Sequence, residues 1–307
     1  MTKPLRVGSI FDVNKPVADT VAHVQGLADA GLDHAFATQV FDHDALTLLA
    51  AVGVQVGEIA LGTGVVPIYP RHPMMLAQQA LTVQSAIGNR LLLGIGLSHQ
   101  VVVESMWGLS YDKPATYMKE YLAALMPLLH GEAVDVHGER VACTAFSPIN
   151  VPAVSAPPVL VAALGSVMLR LAGTVADGTM TWMTGTKTVT SHIVPTIRAA
   201  AEAAGRAAPR VVVSLPVCVT SDVDAASALV DKTFAVYTSL PSYKAMLDKE
   251  GASSPSDIAL IGDDDAISAG LESLAAGGAT DFVAAPIGSS AERARTTALL
   301  GEIARST

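Results

Sequence analysis

Short apolar runs alternate with longer amphipathic runs along nearly the whole chain, and this alternation limits the possible folds more than any other feature. Eight short runs predict β-strands, at residues 5–10, 34–37, 59–63, 91–96, 159–163, 179–182, 211–217 and 281–285. Several of these runs are apolar at successive positions, which is typical of strands buried on both faces of a parallel sheet. The pattern therefore predicts an α/β protein.

Helices are predicted between these strands, at residues 16–30, 45–56, 73–87, 115–130, 167–176, 189–204, 222–238 and 292–304, with an additional helix at 265–276. Pro73 at a first helical position and Gly88 just after a last one are good boundary signals. Eight alternations within one chain of 307 residues favour a closed (β/α)8 TIM barrel over an open, doubly wound sheet.

Two segments interrupt the alternation. Residues 131–157 contain glycine, proline and short β-like pieces, and we expect a hairpin or loop inserted before the fifth strand. Residues 239–262 follow the seventh helix and could form a lid. With these two insertions, residues 1–307 are predicted to form one barrel domain.

Composition excludes several classes of function. A net charge of −9 without any basic stripe argues against nucleic-acid binding. The longest apolar stretch, residues 45–57, is too short to span a bilayer, and no signal peptide is recognisable, so a cytoplasmic protein is expected. Cys143 and Cys218 lie too far apart for a metal motif, and we expect no metal site.

The residues that follow each predicted strand would line the active-site face of such a barrel. Few of them are ionisable, so the clustered acids, histidines or lysines of a hydrolase barrel are missing. The face is instead apolar and rich in glycine, which suits a flat ring system and a phosphate group. Residues 61–73 run from such a strand into a Gly-Val-Val-Pro sequence, although an ordinary strand–loop–helix junction, with His72 near the N-cap, explains them as well.

Three polar positions have both a functional and a structural interpretation. His99, presented at a strand end, could transfer a proton, or it could cap a helix. Gly165 and Ser166 begin a helix whose free N–H groups could bind an anion, but Ser166 could equally be a simple N-cap. For residues 42–44 (Asp-His-Asp) we favour the structural interpretation, with Asp44 as the N-cap of the next helix.

Taken together, these stretches resemble the bacterial-luciferase-like family of flavin and deazaflavin oxidoreductases. The resemblance covers essentially the whole chain and is carried by the motifs at residues 61–66, 71–73, 88–91, 93–96 and 176–178. Residues 69–73, 96–100 and 240–243 look most like the actinobacterial subgroup that uses the deazaflavin coenzyme F420.

The resemblance implies a role for particular residues. A non-prolyl cis peptide would fall at Gly64–Val65 and back the middle ring of the coenzyme. The phosphate site would fall on Ala163, Leu164, Gly165 and Ser166, and Gln39, Leu97 and Ser98 would also contact the coenzyme. His99 stands where some relatives carry an acidic proton donor, which makes it our candidate general acid. Phe11, Trp182 and Met183 are candidates for the substrate wall, beneath the 239–262 insertion.

One departure from the family pattern bears on the reaction. Many relatives end the second strand with an Asp-His pair, whereas this chain has Thr38 and Gln39. Glutamine forms hydrogen bonds but does not shuttle protons, so reduction of an activated C=C or C=N bond fits better than alcohol oxidation. An FMN-dependent monooxygenase, and a non-catalytic coenzyme carrier or sensor, are the alternatives. A small-molecule substrate and a homodimer are also implied by the resemblance.

Overall fold

Eight parallel strands close into a barrel in the computed structural model, which describes residues 5–306. In chain order the strands are β1 (Arg6–Phe11), β2 (His34–Ala37), β3 (Ala60–Thr63), β4 (Val66–Pro67), β5 (Leu91–Gly96), β6 (Val134–His137), β7 (Ala142–Ala145), β8 (Val159–Ala162), β9 (Gly178–Trp182), β10 (Arg210–Val219), β11 (Leu260–Gly262) and β12 (Asp281–Pro286). The barrel runs β1-β2-β3-β5-β8-β9-β10-β12, and β12 pairs with β1. The predicted (β/α)8 barrel is confirmed.

Helices lie between the barrel strands. They are α1 (Val17–Asp29), α2 (Ala45–Gly53), α3 (Pro73–Ala86), α4 (Pro114–Leu129), α5 (Ser166–Val175), α6 (Thr186–Thr188), α7 (Val194–Ala203), α8 (Val223–Phe234), α9 (Pro241–Glu250), α10 (Asp264–Ala276) and α11 (Ser290–Ser306). The helix predicted at 189–204 is present, but its first turn, Val189–Ile193, is π-helical and runs directly into α7. Pro195 stands in the first turn of α7, directly after the π-helical turn.

Both predicted insertions contain regular structure. Residues 131–157 form an antiparallel hairpin of β6 and β7, as expected. The second insertion contains α9 and β11, and β11 pairs in parallel with the last three residues of β10. The helix predicted at 222–238 is shorter in the structure, because α8 ends at Phe234. The 3₁₀ turn Ala235–Ser239 follows it, and Pro241 then begins α9. The candidate lid is thus mainly a helix rather than an irregular loop.

The barrel interior is filled by one apolar layer near its middle, made of Phe36, Leu92, Leu160, Met180, Val212 and Val283. Gly62 leaves room for one of these side chains, since a Cβ there would lie 2.3 Å from the ring of Phe36. A second apolar layer, between the barrel and its helices, forms the larger core. Because both layers are packed, the space for a ligand lies at the strand ends.

A buried carboxylate lies at the amino-terminal end of the barrel. Asp281 is fully buried and pairs with Arg6 at 2.8 Å and with Arg210 at 2.5 Å. Burial acts to raise the pKa of Asp281, but hydrogen bonds and charge from Arg210 outweigh it, and the pKa is lowered. His34 is buried beside this group, and burial lowers its pKa to about 4. This end of the barrel therefore holds a structural charge network.

Among residues 5–306, no helix has the length and apolar character needed to cross a bilayer.

Candidate active site

A cavity of about 1110 Å³ opens at the carboxyl ends of the barrel strands. Ligand pockets are commonly about 300–1,000 Å³, so this cavity is large enough for a coenzyme and a small second molecule. A non-catalytic coenzyme carrier would favour a shallow or closed pocket. The cavity at the strand ends is neither shallow nor closed. The residues predicted for the site that line this cavity are Phe11, Gln39, Gly64, Val65, Leu97, Ser98, His99, Ala163, Leu164, Gly165 and Trp182.

Two residues predicted for the site lie outside the lining. Met183 is only 1% exposed and belongs to the core between the barrel and its helices. Met183 lies just beyond the last residue of β9 and has a positive φ of 52°, so the chain has left the strand conformation there and its side chain packs into the core. Ser166 is the first residue of α5, one position beyond the lining residue Gly165. The prediction of Met183 as a substrate wall is therefore corrected.

The cavity wall at the end of β3 contains the cis peptide bond that was expected at Gly64–Val65. The bond separates β3 from β4, and Thr63 anchors the strand just before it. The Thr63 hydroxyl donates a hydrogen bond to the Gly94 carbonyl at 2.7 Å and accepts one from the Gly94 N–H at 2.8 Å. A Cβ at Gly94 would lie 2.0 Å from the Thr63 carbonyl oxygen, which explains why glycine stands there.

The amino-terminal end of α5 supplies unpaired N–H groups at another wall. Gly165, rather than Ser166, is the N-cap residue, and no side chain caps this end of the helix. The interpretation of Ser166 as a plain N-cap was therefore wrong, because the helix begins at that residue. His192 supports the loop from behind, with its Nε2 2.8 Å from the carbonyl oxygen of Leu164. Such an uncapped terminus, with its positive dipole end, is suited to a phosphate.

Gln39 is held in place by the start of the next helix. Its Oε1 accepts a hydrogen bond of 2.8 Å from the N–H of Ala45, which leaves its amide N–H groups for a ligand in the cavity. Asp44 caps the same helix by accepting from the N–H of Thr47 at 2.9 Å, and it also pairs with Arg71. The structural interpretation of residues 42–44 is confirmed. No cluster that could hold a metal ion occurs among residues 5–306.

His99 follows β5 and contacts the inserted helix α9. Its ring centroid lies 6.1 Å from that of Tyr243, and burial lowers the pKa of the imidazole below 6.5. The neutral ring therefore predominates at pH 7. The backbone carbonyl of His99 accepts from the N–H groups of Val102 and Val103, whereas its ring caps no helix in the part of the chain that the structure describes. The capping interpretation of the His99 side chain is not supported.

Four aromatic side chains, Trp182, Phe234, Tyr237 and Tyr243, line one side of the cavity and form what we call the aromatic wall. The Trp182 ring lies 5.3 Å from Phe234 and 6.0 Å from Tyr237, and Tyr237 lies 4.7 Å from Tyr243. In each of these pairs the rings meet at 70° to 79°. In the aromatic wall, the edge of one ring therefore meets the face of its neighbour.

Phe234 and Tyr237 were not predicted as site residues, because only strand ends had been considered. They come from the end of α8 and the 3₁₀ turn that follows it. A signal was present, since these two residues and Tyr243 lie within ten positions of a chain in which aromatics make up only 5%. Tyr111 was missed as well, and its hydroxyl lies 3.4 Å from the Ser98 carbonyl at the cavity wall.

Charged side chains are scarce in the cavity. Among the described lining residues there is no lysine and no arginine, and the only carboxylates are Asp12 and Glu104. Asp12 is paired with Lys15 at 3.1 Å. Glu104 accepts a hydrogen bond of 3.0 Å from the amide of Gln100, and no cation pairs with it among residues 5–306. The site is therefore apolar and aromatic, with a slight excess of negative charge.

Comparison with known proteins gives a consistent assignment. A family model described as luciferase-like monooxygenase matches residues 4–285. The 5,10-methylenetetrahydromethanopterin reductase of Methanolobus tindarius is 32% identical over 214 residues, which are 68% of this chain and 63% of that protein. The matched region thus spans less than two thirds of this relative.

Solved structures share the fold over nearly their full length. The coenzyme F420-dependent tetrahydromethanopterin reductase of Methanopyrus kandleri superposes with a TM-score of 0.84 at 21% identity, covering 99% of both chains. The oxygenating constituent of the 3,6-diketocamphane monooxygenase of Pseudomonas putida, in complex with FMN, superposes with a TM-score of 0.76 at 18% identity, again over 99% of both chains. At these identities the likeness establishes the fold alone.

Proposed function

The chain belongs to the luciferase-like monooxygenase family, and from this premise we propose that it is an F420-dependent oxidoreductase that transfers a hydride between the coenzyme and a small organic substrate. One observation carries the proposal: a single cavity joins Gly64 and Val65, at the end of β3, to the uncapped start of α5. A flat ring placed against the former and a phosphate placed at the latter match the two chemical parts of such a coenzyme.

The residues present fit this coenzyme. The α5 terminus at Gly165 and Ser166, preceded by Ala163 and Leu164, would bind the phosphate through backbone N–H groups. Gly64 and Val65 would back the ring, and the free amide of Gln39 would donate to a ring carbonyl. Leu97 and Ser98 line the same cavity after β5. When bound, the deazaflavin supplies a two-electron hydride exchange at a ring carbon.

The chain itself contributes orientation, water exclusion and a proton site. Phe11 and Trp182 would hold the substrate, and α9 would shield it from solvent through Tyr243. His99 is our proposed proton-transfer residue. Because burial lowers its pKa, its neutral form can accept a proton at pH 7, whereas donation as a general acid would require more acidic solution. Reduction of an activated C=N or C=C bond is the proposed direction.

An FMN-dependent monooxygenase is the second candidate. The description of the family model and the FMN complex that shares the fold both favour it. The carbon that replaces N5 in the deazaflavin favours hydride transfer over oxygen chemistry, so the identity of the coenzyme separates the two functions. The relative of M. kandleri, described as F420-dependent, supports the first candidate.

The test is a fluorescence titration of the purified protein with F420 and, separately, with FMN. We expect micromolar or tighter binding of F420 and weaker binding of FMN. Ser166→Asp, which places a carboxylate at the proposed phosphate site, should weaken F420 binding by at least about ten-fold. Ser290→Asp is the matched control, because Ser290 is also a first helical residue but lies outside the cavity lining. Preference for FMN would contradict the proposal and make oxygen consumption the next assay.

We also propose that the protein acts on a small molecule as a homodimer. The negative net charge supports the absence of a nucleic-acid partner. Light scattering after size-exclusion chromatography tests the assembly, and a mass near 31.5 kDa would contradict the dimer.

A further inference from the structure

We infer that the substrate is a cation with an unsaturated ring, most simply a conjugated iminium ion, which is held against the aromatic wall. This inference rests on the proposed function, because it takes the remaining part of the same cavity as the substrate site. It names the charge and shape of the substrate, which neither the fold nor the proposed coenzyme determines.

The first argument is the absence of positive charge. No lysine or arginine belongs to the cavity lining within residues 5–306. A carboxylate or phosphate on a substrate would lose its hydration here without gaining an ionic partner, which is strongly unfavourable. The N–H groups at the start of α5 are assigned to the coenzyme phosphate and do not serve a second anion. The net charge of −9 adds a field that attracts cations and repels anions.

The second argument is the shape of the aromatic wall. Trp182 meets Phe234 at 75° and Tyr237 at 70°, and Tyr237 meets Tyr243 at 79°. Rings that meet near right angles form a corner in which one face is presented to a guest. The face of an aromatic ring carries negative electrostatic potential, so such corners bind cations, with tryptophan as the best partner.

The third argument concerns the groups that face the wall. The ring of His99 contacts Tyr243 and is neutral at pH 7, so it does not repel a cation. Glu104 lines the same cavity and has no ionic partner among residues 5–306. Glu104 is exposed and accepts hydrogen bonds from Gln100 and from the N–H of Tyr111, so it adds a solvent-screened negative charge to the cavity, while the ring faces provide the direct contact.

The chemistry balances without a proton donor to the substrate. Hydride forms a C–H bond at the carbon of the C=N⁺ bond, the π electron pair moves to nitrogen, and the iminium is reduced to a neutral amine. The bound deazaflavin would supply the two electrons as hydride, and neutral His99 would take the proton released with them and pass it to water. A site with so few ionisable groups is sufficient for this reaction.

The experiment measures binding by calorimetry to protein saturated with oxidised F420, in which no turnover occurs. Three probes of similar size are compared: the 2-methyl-3,4-dihydroisoquinolinium cation, neutral 1-tetralone and the anion tetralin-1-carboxylate. We expect the cation to bind at least about ten-fold more tightly than the ketone, as a desolvated cation–π contact provides, and the anion to bind more weakly than either. An anion or a ketone that binds as tightly as the cation would overturn the inference.

A pair of variants tests the aromatic wall itself. Tyr237→Leu removes one ring face while keeping an apolar side chain, and it should reduce the preference for the cation to less than about three-fold. Val236→Leu is the control, because Val236 is 60% exposed on the same 3₁₀ turn and does not line the cavity. An unchanged preference in Tyr237→Leu would contradict the role of the wall.

Different results would contradict the proposed F420-dependent function and the proposed cationic substrate. The cation and the ketone are also titrated into coenzyme-free protein, so their ranking is obtained whether or not F420 binds, while the anion is compared only in coenzyme-saturated protein, where the start of α5 is assigned to the phosphate. Failure to bind F420 contradicts the proposed function, whereas a ranking that favours the anion or the ketone contradicts the cationic substrate.

Discussion

The imidazole ring of His99 lies 6.1 Å from the ring of Tyr243, centroid to centroid, and this contact joins the end of a barrel strand to an inserted helix. His99 follows β5, while Tyr243 stands in the first turn of α9. The imidazole is partly buried, and burial lowers its pKa. The inserted helix thus lies against the candidate proton-transfer residue at the cavity.

Replacing His99 should impair turnover more than coenzyme binding. We expect His99→Asn to lower kcat by about 10²-fold or more, the usual effect of losing a proton-transfer residue, with the F420 dissociation constant changed less than about three-fold. Steady-state kinetics and a fluorescence titration measure the two effects. His137→Asn is the control, because His137 is an exposed histidine on the β6–β7 hairpin.

The same variant tests the protonation state. Since the neutral form of His99 is the proposed proton acceptor, kcat should fall as pH decreases through its pKa, below 6.5. The pKa of Tyr243 is raised by burial, so the tyrosine stays neutral throughout this range. His99→Asn should lose this acidic limb. An identical limb in the variant would show that another group titrates.

Replacing His192 should loosen the proposed phosphate site. His192→Leu removes the 2.8 Å hydrogen bond to the Leu164 carbonyl, which holds the loop before α5. A net hydrogen bond contributes about 0.5–1.5 kcal/mol, so we expect F420 binding to weaken by about two- to ten-fold. Ser191→Ala, which removes a hydrogen bond inside its own helical segment, is the control. Equal F420 affinities in the two variants would contradict this positioning role.

Gly94→Ala should destabilise the fold. The new Cβ would lie 2.0 Å from the backbone oxygen of Thr63, and a backbone atom in a central strand has little freedom to move away. We expect the free energy of unfolding to fall by about 3 kcal/mol or more. Gly26→Ala is the matched control, since no heavy atom lies within 4 Å of its Cβ and the helix α1 should gain about 0.5–1 kcal/mol. Denaturant unfolding measures both values.

Stability should decline in mild acid because of His34. Its pKa is about 4 in the folded protein, where it is buried, against 6.5 in the unfolded chain, so the unfolded state binds the extra proton first. The free energy of unfolding should therefore fall between pH 6.5 and pH 4, by up to roughly 3 kcal/mol. The lowered pKa of Asp281 places its own loss of stability at lower pH.

A His34→Leu variant isolates this contribution. Leucine does not titrate, so the decline in unfolding free energy between pH 6.5 and pH 4 should become much smaller. His137→Leu, at an exposed site, should retain the slope of the unmodified protein. A slope that persists in His34→Leu would assign the acid sensitivity to other groups.

Local patterns predicted most of the barrel because the residues at the ends of most strands and helices mark the boundaries of those elements. The strands at 34–37 and 91–96 were predicted to the residue, since their apolar runs end at polar or glycine positions. The cis bond at Gly64–Val65 came from family resemblance, and the structure confirms it. The boundary between α8 and α9 was less accurate, because a 3₁₀ turn and Pro241 change the direction of the chain there.

Side-chain direction was harder to predict than position. Trp182 and Met183 are adjacent, yet one lines the cavity and the other is 1% exposed in the core. β9 ends at Trp182, and the left-handed backbone at Met183 (φ 52°) turns its side chain into the core, which the residue pattern alone does not reveal. The assignment of Gly165 and Ser166 depended on where α5 begins, because a shift of one residue in the helix start changes which of the two is the N-cap residue.

By itself, the sequence determined the alternation of strands and helices and the scarcity of charge at the strand ends, since both are properties of short local segments. Only the tertiary structure decided that Phe234, Tyr237 and Tyr243 join Trp182 in one wall, and that the partly buried His99 lies against the inserted helix. Those contacts link residues far apart in the chain. They arise when barrel closure brings the strand ends and the insertion to the same opening, and no local pattern specifies that geometry.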